Sequence, residues 1–467
     1  MASKQGQSPA TLFICNSPTF SLLTSALNRS CTSPAHLLVR SPPNSRQSLR
    51  HHAARMAVSA SSAPHPLLTD PRTRDAFLAN DWGKRPVLFR NLLPDFCSPL
   101  SPDELAGLAC EPGSHSRLIL GNGTGPYELK LGPFEEDQFS KLPEENWTLL
   151  VQDANRLVPQ LAQLLDSFSF IPNWRVDDVM VSYAAPGGGV GPHVDNYDVF
   201  LVQGLGQRLW QTAYTPISAA EELLVEPCDV RVLKDGFPAD EEWILNPGDV
   251  LYVPPRFPHH GVSLDDQCMT FSVGFRAPTV ADLMRGWVDD VAEQEGLDNV
   301  FFGDVASDIV KNADDPGRIT TDAVEHAYAG VMDRLLRGEH LRKRFSTWFA
   351  QEVSQPKRFR GHEPDFEPLS DAKADELIET VLRNGNQIAL RQQEGTVFTY
   401  FENDEGTAMY IDGEQWAVES VEIAQAICSA RLLDACALSN MAESHPSIRN
   451  TLKQLFRADL LYVEDEI

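Results

Sequence analysis

A histidine and an aspartate two residues apart follow a glycine-rich turn near the middle of the chain. They are His193 and Asp195, and the turn before them reads Pro-Gly-Gly-Gly-Val-Gly-Pro. On an extended segment, residues two apart face the same side, so this imidazole and this carboxylate can bind one ion. Two histidines and one carboxylate are the usual protein ligands of a non-haem Fe(II) that keeps open coordination positions. The pair therefore predicts a metal site that needs one further histidine.

Two adjacent histidines farther along the chain are the candidates for that position. Pro247 and Gly248 predict a turn, residues 249–253 a short strand, and the prolines that follow lead into His259 and His260. Neighbouring residues on an extended segment face opposite sides, so only one of the two histidines can join the site. The spacing alone leaves open which one it is.

The two segments together resemble the JmjC-type ribosomal oxygenases, especially the bacterial branch that hydroxylates an arginine of a large-subunit ribosomal protein. The first matching stretch is residues 186–204, which continues past the aspartate as Asn-Tyr-Asp-Val-Phe-Leu-Val-Gln-Gly. The second is Phe-Pro-His-His-Gly at residues 257–261, and the third is Phe-Ser-Val-Gly-Phe-Arg-Ala-Pro at residues 271–278. The resemblance implies a mostly β catalytic core over residues 67–278, folded as a double-stranded β-helix (the cupin or JmjC jelly roll).

The resemblance also implies roles for individual residues. It gives His193, Asp195 and His259 as the metal ligands, although the family has an acidic residue where this chain has His260. Arg208 matches the family's arginine that holds the far carboxylate of 2-oxoglutarate, and a guanidinium suits that task because it can pair with both carboxylate oxygens. Fe(II) and 2-oxoglutarate are then the expected cofactors of a dioxygenase that hydroxylates proteins.

The expected substrate is a basic protein, in the first place a ribosomal protein hydroxylated on arginine. Ser182 and Tyr183 precede the glycine-rich turn and are candidate substrate contacts, with a place in the core as the alternative. Other members of the wider family imply ribosomal histidine hydroxylation or histone demethylation as alternatives. A different class of function is a catalytically silent cupin that docks protein partners.

Capping, periodicity and turn residues predict the elements that support the site. Residues 101–104, Ser-Pro-Asp-Glu, have the composition of a capping box and predict a helix start. Residues 117–120 and 127–131 predict a hairpin, and residues 157–168 predict an amphipathic helix. Residues 213–244 are rich in Glu, Asp and Pro, which is more typical of a lid or binding loop than of a core.

Helical periodicity replaces the strand pattern over residues 279–354. The resembled family has a helical dimerisation module here, which implies a homodimer. The apolar positions of the second helix are compatible with a buried stripe, although packing within one chain predicts the same pattern. These positions are Val324, Tyr328, Val331, Leu335 and Leu336.

The order of helices and strands over residues 369–467, after a linker at residues 355–368, resembles a winged helix. This segment has 18 Asp and Glu against 7 Lys and Arg, a net charge of −11. No helix in it is expected to carry a basic face. We therefore expect a wing that docks proteins, without direct contact to nucleic acid.

The composition of the whole chain supports the same kind of partner. Its 467 residues carry a formal charge of −27, which favours basic proteins over phosphate backbones. The eight cysteines include no Cys-x-x-Cys pair, so neither a zinc ribbon nor a disulfide framework is predicted. No apolar run approaches the roughly 18 to 20 residues that span a bilayer, so no membrane partner is expected.

The first 66 residues have the composition of a transit peptide. They contain no Asp or Glu, six Lys and Arg, and many Ser, Ala and Pro residues. Val58-Ser59-Ala60 resembles a plastid processing site, so the plastid (chloroplast) is the expected compartment and the mitochondrion the alternative. A disordered tail with internal initiation at Met56 predicts the same composition.

Overall fold

The computed structural model describes residues 65–121, 127–224, 231–301, 318–337, 339–356, 369–383, 388–404 and 406–464. The acid-free segment 1–66 therefore lies almost wholly outside the described residues, as do the glycine-rich turn at 122–126 and most of the linker at 355–368. Within the described ranges, no helix is both long enough and apolar enough to cross a bilayer.

The part of the chain that ends at residue 275 is built mainly from antiparallel strands. The strands are β1 (Val87–Phe89), β2 (Ser116–Leu120), β3 (Glu128–Leu131), β4 (Trp147–Val151), β5 (Val176–Ala184), β6 (Asp198–Leu205), β7 (Arg208–Thr212), β8 (Glu241–Leu245), β9 (Val250–Val253), β10 (His259–Ser263) and β11 (Cys268–Phe275). The described residues form an eight-stranded sheet with the order β1-β9-β6-β11-β5-β4-β2-β3 and a three-stranded sheet with the order β10-β7-β8. This mostly β architecture agrees with the predicted jelly roll.

The centre of the large sheet is the most deeply buried part of the barrel. Every residue of β11 is buried, and so are all but the last residue of β6. In β6 both faces are covered and residues 199–202 form a continuous apolar run. Apolar and polar residues alternate along β11 even though all are buried, with Phe271 and Val273 on the core face and Thr270 on the other. Aromatic rings fill the space between strands and helices, with Trp82 stacked on Tyr252 at 5.2 Å and Phe168 against Phe200 at 4.6 Å. The barrel is therefore a packed support for the site.

The helices surround the barrel and continue beyond it. They are α1 (Pro66–Thr69), α2 (Pro71–Asn80), α3 (Pro102–Cys110), α4 (Glu136–Phe139), α5 (Ala154–Leu157), α6 (Pro159–Leu164), α7 (Val280–Gln294), α8 (Thr321–Leu335), α9 (Glu339–Ser354), α10 (Asp371–Arg383), α11 (Val421–Cys428), α12 (Ala435–Ser444) and α13 (Ile448–Arg457). The capping box predicted for α3 is present. Glu104 N donates to Ser101 Oγ at 3.2 Å, and Ser101 N donates to the Glu104 carboxylate at 2.8 Å.

The single helix predicted over residues 157–168 is wrong. In the structure α5 ends at Leu157, α6 begins at Pro159, and a 3₁₀ turn over Leu165–Phe168 completes the segment. Val158 between the two helices is extended, with φ −128° and ψ 103°. Proline disfavours the helical conformation of the residue before it and has no N–H to continue a helix, so Pro159 can only start a new one.

The excursion after β7 ends earlier than predicted and is tied to the barrel. Its predicted last residues, 241–244, belong to β8, which pairs with β7. Before that strand, the buried Glu222 carboxylate accepts hydrogen bonds from Arg231 and from Arg256, which lies shortly before β10. The returning segment then meets the site, because Val232 forms a β-bridge with His193.

The remaining strands form two small sheets in the C-terminal part. They are β12 (Ala389–Gln392), β13 (Phe398–Asn403), β14 (Gly406–Ile411), β15 (Glu414–Ala417), β16 (Leu432–Leu433) and β17 (Leu461–Glu464). The sheet orders are β16-β12-β17 and β13-β14-β15. The side-chain amide of Asn173 on the barrel side donates to the carbonyls of Cys428 (2.7 Å) and Phe398 (3.3 Å), which joins this part to the barrel.

The expectation that no C-terminal helix carries a basic face is wrong. Three cations lie one turn apart on α13, and acids with the same spacing on α10 face them. The pairs are Arg449 with Glu379, Lys453 with Asp375 at 2.9 Å and Arg457 with Asp371 at 3.0 Å. The basic stripe is thus neutralised within the chain, so α13 adds no net positive charge to the acidic C-terminal part.

Candidate metal centre

The backbones of His193 and His259 are bonded to each other although the two residues are far apart in the sequence. His193 N donates to His259 O, and His259 N donates to His193 O, both at 3.0 Å. The extended segment around His193 is not part of a regular strand. It forms isolated bridges with His259 and Val232. Pro192 cannot donate a hydrogen bond, so a longer ladder is not available there.

The two imidazoles and the carboxylate of Asp195 form one cluster. One ligand atom from each of the three side chains lies within 4.8 Å of the others. Asp195 Oδ2 is 3.4 Å from His259 Nε2, and the imidazole centroids are 4.1 Å apart. Both histidines are buried, and Asp195 is partly exposed. Two nitrogens and one carboxylate oxygen at these separations fit a facial Fe(II) site.

Backbone carbonyls fix the orientation of both imidazoles. His193 Nδ1 lies 2.8 Å from Gly191 O, and His259 Nδ1 lies 3.0 Å from Phe257 O. A carbonyl can only accept, so a neutral imidazole in either place carries its proton on Nδ1 and leaves Nε2 free for a metal. Gly191 has φ +85°, and a Cβ there would lie 2.5 Å from the Tyr127 hydroxyl, so glycine is required at this turn.

The protonation states match what a metal needs. Burial, followed by the neighbouring His259, lowers the pKa of His193 to about 4. Burial raises the pKa of Asp195, but the hydrogen bond with His259 and the electrostatic interaction with both imidazoles outweigh it, so this pKa is lowered overall. Near neutral pH His193 is therefore neutral and Asp195 is ionised, which are the forms that bind metals.

His260 lies outside the cluster. Burial alternates along β10, where His259 and Gly261 face inward and His260 is paired across to Gln211. Burial, and then His259, lower the pKa of His260. Because of this alternation, His259 lies against His193 and Asp195 and His260 does not. The structure thus distinguishes the two histidines that the spacing alone could not.

Arg208 is a buried cation beside this cluster. It begins β7 and is 3 % exposed. Its Nε donates to Cys268 Sγ at 3.3 Å, its guanidinium carbon lies 5.7 Å from the centre of the Trp210 ring, and its Nη2 is buried without a hydrogen-bond partner. No carboxylate of the described residues pairs with it. A buried guanidinium without a counter-charge is costly, so this position fits the carboxylate of a ligand.

A cleft of about 430 Å³ contains the cluster and Arg208. Ser182 lines it, together with Thr270 on the neighbouring strand. Tyr183 lies on the other face of β5, where its hydroxyl donates to Asp266 O at 3.0 Å and its ring centre is 5.3 Å from that of Trp147. Of the two candidate substrate contacts, the structure therefore places Ser182 in the cleft and Tyr183 outside it.

Sequence reasoning missed Trp210 as part of the site. Its ring lies between the imidazole of His259, at 5.8 Å between ring centres, and the guanidinium of Arg208. Gly261 is its cross-strand partner, and a Cβ at Gly261 would come within 2.7 Å of the indole. The signal was available, because Trp210 is two residues after Arg208 on a strand and must share its face.

Comparisons with known proteins agree with this fold. Residues 163–283 match the family model described as "JmjC domain". The chain is 38% identical over 314 residues to the ribosomal protein uL16 3-hydroxylase of Escherichia coli, covering 66% of this chain and 78% of the relative. It is 31% identical over 398 residues to a probable ribosomal oxygenase of Haemophilus influenzae, covering 84% and 95%.

A solved structure shows the same likeness in three dimensions. The ribosomal oxygenase YcfD from Escherichia coli, in complex with cobalt and 2-oxoglutarate, superposes with a TM-score of 0.67 at 31% identity, over 85% of this chain and 99% of that one. The barrel, the JmjC match and an identity sustained over most of both bacterial relatives establish that the chain belongs to the JmjC-type ribosomal oxygenase family.

Proposed function

We propose that this chain is an Fe(II)- and 2-oxoglutarate-dependent dioxygenase that hydroxylates a side chain of a large-subunit ribosomal protein, with arginine as the residue. One observation carries the proposal. A His-Asp-His cluster lies in the same cleft as Arg208, a buried cation with which no carboxylate of the described residues pairs. A metal site alone fits many functions, but a metal site beside a carboxylate anchor fits a dicarboxylate cosubstrate.

The chain's own residues have separate tasks in this reaction. His193, Asp195 and His259 hold the metal, and Arg208 pairs with the far carboxylate of 2-oxoglutarate, which directs the keto-acid end toward the metal. When bound, iron and 2-oxoglutarate supply the oxidising chemistry that places one oxygen atom of O₂ on a substrate C–H group and leaves succinate and CO₂.

The proposed substrate follows from the related bacterial enzyme, whose name gives the ribosomal protein uL16. The resemblance to its branch implies hydroxylation of an arginine, and the formal charge of −27 favours a basic polypeptide. Ser182 lines the cleft and is the proposed contact to the substrate backbone or side chain.

The test combines two readouts on the purified chain with bacterial-type uL16. Succinate should form only when protein substrate, Fe(II) and 2-oxoglutarate are all present, and mass spectrometry should locate one added oxygen on an arginine. An added oxygen on histidine would instead support the ribosomal histidine hydroxylase, and formaldehyde release from methylated histone peptides would support the demethylase. No substrate-dependent succinate with any of them would favour the silent docking module.

We also propose that the enzyme acts in a plastid. The acid-free composition of residues 1–66 supports import, and an organellar ribosome of bacterial type offers a client like that of the bacterial relative. A fluorescent reporter fused to residues 1–66 should enter plastids. A mitochondrial signal would change the compartment only, whereas a cytosolic or nuclear signal would remove the organellar client.

A further inference from the structure

Cys268 is a hydrogen-bond partner of the Arg208 guanidinium. It begins β11, it is fully buried, and its sulfur accepts from Arg208 Nε at 3.3 Å. Gln203 Nε2 also lies 3.6 Å from this sulfur, and the oxygen of the same amide accepts from Thr270 Oγ1 at 3.1 Å. The sulfur therefore belongs to a polar network inside an otherwise apolar sheet.

A sulfur is an unusual partner for an arginine in this molecule. Arg175 and Arg391 are also largely buried, and each pairs with a carboxylate, Asp198 at 2.9 Å and Glu464 at 2.7 Å. Arg208 is more deeply buried than either, but no acid of the described residues reaches it. The guanidinium is thus held in place at Nε while its charge is not neutralised by the protein.

A thiol suits this task better than other side chains would. As a weak acceptor it orients Nε without quenching the cation, whereas an aspartate would form an internal ion pair that a ligand carboxylate must break. Alanine would leave Nε unsatisfied and the long side chain free to change rotamer. We propose that Cys268 is a positioning residue that orients Arg208 and keeps its charge available for the cosubstrate carboxylate.

This inference rests on the proposed function, because it takes Arg208 as the anchor of 2-oxoglutarate. The test measures binding, not turnover. 2-Oxoglutarate is titrated calorimetrically into Mn(II)-loaded protein without oxygen, for the wild type and for Cys268→Ala, Cys268→Asp and Cys268→Ser. We expect Kd to rise at least tenfold for the alanine and aspartate variants and to stay within about threefold for serine, which supplies an acceptor of similar size, while Mn(II) affinity is unchanged in all three.

Cys428→Ala is the matched control for Cys268→Ala. Cys428 is similarly buried, but it belongs to the C-terminal part, where its thiol donates to Thr399 O at 3.4 Å. This variant should lose stability much as Cys268→Ala does and keep the wild-type Kd for 2-oxoglutarate. A loss of affinity in Cys428→Ala equal to that in Cys268→Ala would overturn the inference, because the effect would then be a general one. If the aspartate variant does not fold, the comparison of alanine with serine decides.

The Kd of Arg208→Ala for 2-oxoglutarate distinguishes a failure of the positioning role of Cys268 from a failure of Arg208 as the anchor. If that variant loses affinity but Cys268→Ala binds like the wild type, the positioning role is refuted and the anchor stands. If Arg208→Ala itself binds 2-oxoglutarate normally, the anchor and the positioning role both fail.

Discussion

At the scale of single residues, the three cluster side chains should differ sharply from their neighbour His260. Replacing His193, Asp195 or His259 by alanine removes one of three protein ligands, so we expect Fe(II)-dependent succinate formation to fall below detection and metal affinity to drop by at least 10-fold to 100-fold. His260→Ala should keep near-normal metal affinity and turnover. Metal binding measured by calorimetry checks both, and an unchanged affinity in His259→Ala together with a loss in His260→Ala would reverse the assignment.

Replacing Arg208 should weaken the binding of 2-oxoglutarate and leave the binding of the metal unchanged. Removing one partner of a buried, charge-assisted pair costs about 2 to 5 kcal/mol, which corresponds to a roughly thirty-fold or larger rise in Kd for 2-oxoglutarate in Arg208→Ala. Arg208→Lys keeps the charge but loses the planar fork, so an intermediate Kd is expected. Calorimetric titration checks the series, and a Kd for the alanine variant equal to that of the wild type would move the anchor elsewhere.

The metal ligands were easier to predict from the sequence than the contacts that hold Arg208 in place. His193 and Asp195 stand out because a short spacing and a special turn surround them, and alternation in a strand limits the third ligand to one of two neighbours. Cys268 could not be identified in this way, because its contact with Arg208 joins two strands that are not adjacent in the sequence. Only the pairing of β11 with β5 and β6 places the thiol there.

At the scale of elements, we expect alanine at Gly261 and alanine at Gly107 to change the free energy of unfolding in opposite directions. A Cβ at Gly261 would come within 2.7 Å of the Trp210 ring, whereas a Cβ at Gly107 in α3 would have nothing within 4 Å. Gly261→Ala should therefore lower the free energy of unfolding by about 1 to 3 kcal/mol through overpacking. Gly107→Ala should raise it by about 0.5 to 1 kcal/mol through helix propensity.

Denaturant unfolding of the two variants checks these signs. Gly261→Ala should also weaken 2-oxoglutarate binding, since Trp210 contacts Arg208, whereas Gly107→Ala should leave binding unchanged. Equal stability of Gly261→Ala and the wild type would mean that β10 and β7 separate without cost, contrary to the packing around the indole.

The predictions of elements were wrong where a local feature of the sequence, a proline or the spacing of three cations, mattered more than the overall pattern. The capping residues of α3 determined its start because the cap is satisfied entirely by neighbours in the sequence. The segment 157–168 was predicted from apolar periodicity alone, and Pro159 breaks the helix regardless of that periodicity. The basic stripe of α13 was overlooked because net charge was summed over a whole domain, whereas a face depends on the spacing of its few cations.

At the scale of the molecule, the helical segment after the barrel leaves an apolar surface uncovered. Val324, Tyr328 and Val331 on α8 are 54 %, 60 % and 55 % exposed, so packing within one chain leaves these positions of the predicted stripe uncovered. Leu335, at the end of the stripe, packs partly against the core between α7 and α9. Val280 and Met284 on α7 are exposed as well. These two faces support the proposed homodimer, since large exposed apolar patches are typical of interfaces.

Charges placed on that surface should separate the subunits. We expect the wild type to be a dimer by light scattering, and the double variant Tyr328→Glu with Val331→Glu to be a monomer with an intact far-ultraviolet circular dichroism spectrum. Glu325→Ala, on the same helix, should remain dimeric. A monomeric wild type at micromolar concentration would remove the dimer proposal and leave the exposed surface for another partner.

The mutual backbone hydrogen bonds of His193 and His259 have a consequence for stability. A metal held by both side chains would cross-link the segment around His193 to β10, which the two backbone hydrogen bonds already join at this point. Because the two imidazoles are brought together only in the folded state, metal at 100 times its Kd would stabilise that state by about 2.7 kcal/mol. The amides of His193 and His259 should accordingly exchange with deuterium more slowly when Mn(II) is bound. Amides of α13, in a separate core, should change far less, which would localise the effect to the cross-linked edge of the barrel.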